Sequence, residues 1–301
     1  LYLMITQTHA VHPLLTRKYI DHYNRMMLLQ SMDHISSEQQ AMELLIQLQN
    51  KTKHNPWLFQ PVGITNSQQH FAIMYEDFSG QSLASYQQHL SLHEILQIAL
   101  ELTNACATFH QQGEIIEFFS PSLIVIQPQS LKIKLLAPST MKHIASTNQN
   151  ATMLQRIKEI AYIAPEQTGR VVTAIDERTD FYIIGAILYE LVTKQLLFEA
   201  DNVIDSLFYV LTKTPDEALL EQHCHLVMLR EIILKLLRKD KEERYQTAVG
   251  LRQDLQKAMD LLVQHQFDTA FTLAEHDTPI HPMFSSKLAT KIGLLSGLIS
   301  I

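Results

Sequence analysis

Apolar positions in the first quarter of the chain come in short runs broken by polar residues, the pattern of strands joined by turns. The runs are residues 1–6, 14–20, 26–30, 58–64 and 71–75, and Asp21, His22, Tyr23 and Asn24 supply a hairpin loop. One helical stretch interrupts them, opening at Ser36-Ser37-Glu38 and carrying Met42, Leu45, Ile46 and Leu48. The order reads β-β-β-α-β-β. From Ser91 the apolar period lengthens, with Leu92, Ile95, Leu96, Ala99, Leu102, Cys106 and Phe109 on one helical face until Gly113 ends it. Three short strands are expected at 114–116, 123–126 and 132–136. A helix over 180–194 is apolar almost all round and therefore belongs in the middle of its domain. Further helices fit 203–212, 226–238 and 247–263.

A strand-rich segment joined near Glu76 to Gly80 to a helical one predicts a two-lobed α+β architecture. Residues 1–78 form the small β-rich lobe and 79–264 the larger helical lobe, with ligand sites expected between them. Residues 265–301 read as a linker or the start of a following module, a C-terminal helix packed on the large lobe being the alternative.

The 301 residues are 46% apolar and 18% charged, which suits a sizeable core and excludes a disordered chain. A net charge of −7 without a basic cluster argues against nucleic-acid binding. Cys106 and Cys224 lie in apolar stretches and form no disulfide framework, so a reducing, cytoplasmic setting is expected. No apolar run reaches membrane-spanning length. The start at Leu1 and the apolar close at Ile301 suggest a piece of a longer polypeptide. His223-Cys224-His225 reads as a polar helix start before Leu226 rather than a metal site, because three consecutive residues cannot all face one ion. Glu114 and Glu117 lack the nucleophile or metal set a hydrolytic carboxylate pair would need.

Five stretches carry a resemblance. Ala164-Pro165-Glu166 continues into Gln167-Thr168-Gly169-Arg170. Asp180-Phe181-Tyr182-Ile183-Ile184-Gly185 opens the buried helix. Lys239-Asp240-Lys241-Glu242-Glu243-Arg244-Tyr245 follows at a distance. Met74-Tyr75-Glu76-Asp77-Phe78-Ser79-Gly80 and Phe109-His110-Gln111-Gln112-Gly113 precede them. In order and spacing these resemble the eukaryotic-type Ser/Thr protein kinase domain over roughly residues 1–262. The resemblance implies that Glu166 and Arg244 form a partly buried ion pair tying the activation segment to the large lobe. Asp180, at the N-terminus of the buried helix, suits a capping role and the helix dipole, and the resemblance implies that it also holds the catalytic-loop backbone.

The same resemblance implies that the groups of phosphoryl transfer are missing. Gly63 is the first glycine, so the opening hairpin offers no glycine-rich phosphate cradle. Gln30 or Leu29 stands where the strand Lys belongs, and its helical Glu partner falls at Glu43. Phe118 replaces the catalytic Asp, Leu123 the metal-binding Asn and Ala137 the metal-binding Asp. A phenyl ring accepts no proton, and neither an isobutyl nor a methyl group ligates Mg²⁺. Pro138 fixes φ beside Ala137, and Glu117, in the place of a phosphate-clamping Arg, makes Ser146, Thr147 and Thr152 poor switch sites.

The expected protein is thus a pseudokinase, a signalling or regulatory module acting through binding and conformational coupling, with no cofactor unless ATP is held without metal through the backbone at Glu76 and Phe78. Its expected partner is another protein or the downstream domains of the same polypeptide, with neither nucleic acid nor membrane insertion. The alternative is an atypical active Ser/Thr kinase using Lys51 or Lys53 for phosphate and Glu117 as base. Residues from Phe267 to Ile299 resemble the linker that follows a kinase-like domain in large bacterial hybrid signalling proteins, although Ala289-Thr290-Lys291 stands where that junction has Gly-Arg-Glu.

Overall fold

The computed structural model describes residues 8–12, 15–20, 25–32, 35, 37–67, 70–86, 90–136 and 153–278. The small lobe is built on one antiparallel sheet of five strands: β1 (Thr8–His12), β2 (Leu15–Ile20), β3 (Arg25–Ser31), β4 (Pro61–Ser67) and β5 (His70–Glu76), in the order β1-β2-β3-β5-β4. Helix α1 (Glu38–Thr52) lies between β3 and β4 in sequence and starts where the Ser37 side chain accepts a hydrogen bond from the Gln40 amide. Its buried face is Ala41, Leu45, Leu48 and Thr52. Met42 and Ile46, the other apolar residues that mark this helix in the sequence, are exposed.

The expected strand at 1–6 lies outside the described residues, and the first observed strand is β1. The run 58–64 divides. Leu58 makes a single parallel bridge to Leu135, and β4 begins only at Pro61.

In the large lobe, α3 (Leu92–Gln111) carries a reciprocal cap, in which Ser91 Oγ accepts from the Glu94 amide and Glu94 Oε2 accepts from the Ser91 amide. A second, small sheet joins β6 (Gln81–Ser82), β7 (Val125–Ile126) and β8 (Ile133–Lys134). The strand expected at 114–116 is irregular backbone instead, and the third strand of this sheet is β6. Helix α2 (Leu83–Tyr86) lies between β6 and α3, and α4 (Met153–Ile160) comes after β8. Helix α5 (Glu177–Thr193) has 14 of its 17 residues buried, as an all-round apolar sequence requires. Around it stand α6 (Val203–Thr212), α7 (Glu217–His223), α8 (Val227–Leu236) and α9 (Ala248–Val263). No helix among the described residues is long and apolar enough to cross a membrane.

Arg244 is 1% exposed, and all five of its N–H groups are used. Nη1 and Nη2 donate to Glu166 Oε1 and Oε2 at 2.7 and 2.9 Å across 78 residues of sequence. The remaining donors reach the carbonyls of Arg238, Arg178 and Lys239. Glu166 Oε1 also accepts from Thr179 Oγ1 at 2.8 Å. Burial pushes the Glu166 carboxyl up, but the hydrogen bonds and charge of Arg244 outweigh it and hold the group below the ordinary carboxylate range. Beside this pair, Asp176 caps α5 by accepting from the Arg178 amide and is also bonded by the Arg178 guanidinium and by Lys241.

Residues 265–278 pack back on the large lobe. Phe267 and Phe271 lie against its core. Asp277 accepts hydrogen bonds from the Gln246 and Thr247 amides and from Thr247 Oγ1, at 2.5, 2.8 and 2.7 Å. This approach is so close that a Cβ on Gly250 would come within 2.5 Å of the Asp277 side chain. Residues 279–301, including Ala289-Thr290-Lys291, lie outside the described residues.

Two outcomes are expected. Asp277→Ala removes three acceptor contacts at the start of α9 and should lower stability by about 1–2 kcal/mol. It should also make residues 265–278 an early protease target, whereas the same truncation at the exposed Asp268 changes neither urea midpoint nor digestion pattern. Arg244→Met leaves the Glu166 carboxylate buried without its partner and should cost about 3–5 kcal/mol, part of which a second change, Glu166→Leu, recovers. Because the folded-state pKa of Glu166 lies low, and that of Asp176 falls to about 2 against its pull from burial, their stabilisation is complete above the unfolded carboxylate range. It is lost as pH falls from about 5 through the folded values. Urea unfolding between neutral pH and pH about 3 should show a shallower acid decline for Asp176→Asn, and an unchanged slope would refute this origin.

Candidate functional site

The cleft between the lobes is bounded by β3, by the connector after β5, and by the loop between α3 and β7. On β3, Leu28, Gln30 and Met32 share the buried face, and Leu29 lies on the other. Gln30 is therefore the residue in the inward position of the expected lysine. It is 3% exposed, and its Oε1 accepts from the Tyr75 hydroxyl at 2.7 Å. Burial drives the Tyr75 hydroxyl pKa up, which keeps it a neutral donor. The sequence singled out Gln30 but not Tyr75, since their proximity comes from the antiparallel register that sets Leu28 against Tyr75 and Gln30 against Ile73. Glu43, the expected helical partner, is exposed and accepts only a local bond from Gln39.

In the connector, Glu76 is exposed and Phe78 is half-buried. The Phe78 ring meets Phe59 edge-on at 6.2 Å, and Phe59 meets Tyr75 edge-on at 5.9 Å, so three aromatic rings pack edge to face beside the connector. The Phe78 carbonyl accepts from Gln127 Nε2 at 3.4 Å. Gly80 has no room for a side chain, because a Cβ there would lie 2.7 Å from the Ile126 carbonyl oxygen. Lys134, a cation of the cleft wall, is committed elsewhere. Its Nζ donates to the carbonyls of Pro56 and Leu58 at 2.7 and 3.2 Å, and burial lowers its pKa.

The loop after α3 is held from below by Asp180. Its Oδ1 accepts from the Glu117 amide at 2.8 Å, and its Oδ2 accepts from the Ile116 amide at 3.0 Å and faces His110 Nε2 at 2.8 Å. Asp180 is thus fully buried in the first turn of α5, while the capping role expected of it belongs to Asp176. The φ of 63° at Glu117 turns the loop, and its carbonyl accepts from Gln167 Nε2 at 2.5 Å, a link to the segment carrying Glu166. Phe118 packs against the hydrophobic core, and Leu123 is part of it at 8% exposure. Ala137, Pro138, Ser146, Thr147 and Thr152 lie outside the described residues.

Cys106 Sγ, a His110 ring nitrogen and an Asp180 oxygen come within 4.8 Å of one another. Both Asp180 oxygens already accept backbone amides and Oδ2 faces His110, so Asp180 and His110 fix the loop by hydrogen bonds while Cys106 lies beside them. Lys51 Nζ lies 3.8 Å from Glu114 Oε1, pairing the end of α1 with the loop after α3, and Lys53 is exposed. His223, expected to start a helix, instead ends α7, with Cys224 buried as its C-cap and His225 edge-on to Phe267 at 4.6 Å. The polar run there closes a seven-residue helix that opens at Asp216, whose side chain accepts from the Leu219 amide, and a helix so short leaves little period in the sequence.

The model of the protein kinase domain matches residues 20–261. Among curated proteins, the chain is 38% identical over 96 residues to hybrid signal transduction histidine kinase G of Dictyostelium discoideum, covering 32% of this chain and 3% of that protein. It is 27% identical over 162 residues to the serine/threonine-protein kinase PknB of Mycobacterium leprae, covering 54% of this chain and 26% of that one. The chain thus spans about a quarter or less of the length of these two relatives. A crystal structure of Rad53 1-466 in complex with AMP-PNP superposes with a TM-score of 0.62 at 17% identity, over 83% of this chain and 64% of that chain, which is a likeness of fold. With two lobes, a short connector, and the anchors of Asp180 and of Glu166 with Arg244 in the positions the motifs require, the chain belongs to the protein kinase domain family.

Proposed function

We propose that this domain is a catalytically impaired member of the kinase family that signals by binding and conformational coupling. The observation that carries the reading is the neutral, buried Gln30–Tyr75 hydrogen bond at the place of a phosphate-binding cation. Phe118, half-buried against the core, and Leu123, within it, stand in sequence at the places of base and metal ligand and support it. Such a residue set does not fit a magnesium-bound triphosphate, since Mg²⁺ requires oxygen ligands and the phosphates require cations or glycine amides. Likeness to a hybrid signal transduction histidine kinase fits a place within a larger sensor, with the downstream domains of the same polypeptide, or a separate protein, as partner.

The second reading, an active Ser/Thr kinase with relocated groups, draws on the likeness to PknB. Its relocated cation at Lys51 is paired with Glu114, which weakens it. Nucleotide held through the connector backbone without metal is compatible with the first reading.

Thermal unfolding with ATP, with and without Mg²⁺, separates the two. A ligand at 100 times its Kd adds about 2.7 kcal/mol, equivalent to several degrees of Tm. The expected result is no magnesium-dependent rise, together with no transfer of labelled phosphate to the protein or to a generic substrate. A rise that needs Mg²⁺, accompanied by transfer that an adenine-site blocker abolishes, would overturn the proposal.

A further inference from the structure

Helix α6 reads Val-Ile-Asp-Ser-Leu-Phe-Tyr-Val-Leu-Thr, yet only Ser206 and Val210 of its ten residues are buried. Ile204 is 77% exposed and Phe208 58% exposed, one helical turn apart and so on one face. Helix α5, equally apolar, has nearly every residue covered. The opposite face of α6 is firmly held: Asn202 caps it, Ser206 Oγ donates to the Asn202 carbonyl, and Lys239 Nζ donates to the Val210 carbonyl at 2.7 Å. The exposed face is therefore a fixed apolar platform rather than a frayed end.

Its charges say what covers it. Glu199, Asp201 and Asp205 stand at the N-terminal end, and Lys213 follows the C-terminal end with its Nζ 3.2 Å from the Tyr209 ring centre. A helix acidic at one end and basic at the other complements itself when run antiparallel, and repels itself when run parallel. With a two-fold axis at Phe208, the two Phe208 rings meet. Each Lys213 then lies level with Val203 of the second copy, between its Asp201 and Asp205.

We infer that α6 is the contact of a two-fold homodimer, with a second copy of this chain as the occupant of its apolar face. The contact is one helix wide, so the dimer is a weak one that forms in the micromolar to millimolar range. It is independent of whether the cleft takes nucleotide.

Sedimentation velocity of the chain across that concentration range tests the inference. The wild type should shift from monomer to dimer, while Phe208→Asp and Ile204→Lys should remain monomeric with unchanged melting temperature, because both side chains already face solvent. Asp201→Lys and Lys213→Glu should each weaken the dimer by roughly tenfold, and the two together should restore it, since the reversed charges again face one another. A wild type monomeric throughout, or a dimer that survives Phe208→Asp, overturns the inference. So does a dimer that the single charge reversals leave unchanged, or whose loss the double reversal fails to repair.

Discussion

The bidentate pair of Arg244 with Glu166 is the constraint on which the large lobe depends. A guanidinium at 1% exposure would be intolerable with even one donor unmet, and here the carboxylate takes two N–H groups while three backbone carbonyls take the rest. The pair joins the segment before α5 to the turn before α9, and Tyr182 of α5 stacks 4.9 Å from the guanidinium carbon. One residue therefore positions three separate parts of the chain. Asp180 works in the same way for the loop carrying Phe118, with two amides and His110 converging on one carboxylate. Gln167 links the two systems by donating to the Glu117 carbonyl.

These interactions explain how much of the fold is legible in sequence. Long elements with one strong period, such as α3, α5 and α9, declare themselves, and the start of α6 at Val203 follows from the apolar run after Asn202. Glu166 and Arg244 are legible through the kinase-like motifs that carry them, Ala164-Pro165-Glu166 and Lys239 to Tyr245. Of the two-residue strands, β7 and β8 fall inside the apolar runs 123–126 and 132–136, whereas β6 is not legible, since Gln81-Ser82 leaves no alternation to read. Around α5 the sequence Asp176-Glu177-Arg178-Thr179-Asp180 offers three acids. Only the extended φ of −143° at Asp176, a backbone property, decides which one caps.

Partners formed through tertiary contact are the other loss. Tyr75 reaches Gln30 across 45 residues, and Asp277 reaches Gln246 across 31, and neither has a local signature. Of Gln30 and Leu29, Gln30 lies on the buried face and Leu29 on the other, because adjacent residues on a strand face opposite ways. The exposure of Met42 and Ile46 is a matter of packing too: hydrophobic spacing gives the width of an apolar arc, and packing decides how much of it is covered.

The charges present in this chain sort by whether the protein itself satisfies them. Glu166, Asp176, Asp180 and Arg244 each find their partners within the fold, so their burial does not depend on any ligand. A lysine at Gln30, an aspartate at Phe118 and an asparagine at Leu123 would be different. In the absence of a bound metal and triphosphate each would stand in apolar surroundings with hydrogen-bonding capacity unmet, at a cost of about 1–3 kcal/mol for a polar group and more for a charged one. On the proposed reading, a neutral hydrogen bond between Gln30 and Tyr75 removes that dependence at the first position, and apolar packing removes it at the other two. A lobe so arranged would respond through its surfaces, above all where the apolar face of a helix such as α6 is exposed.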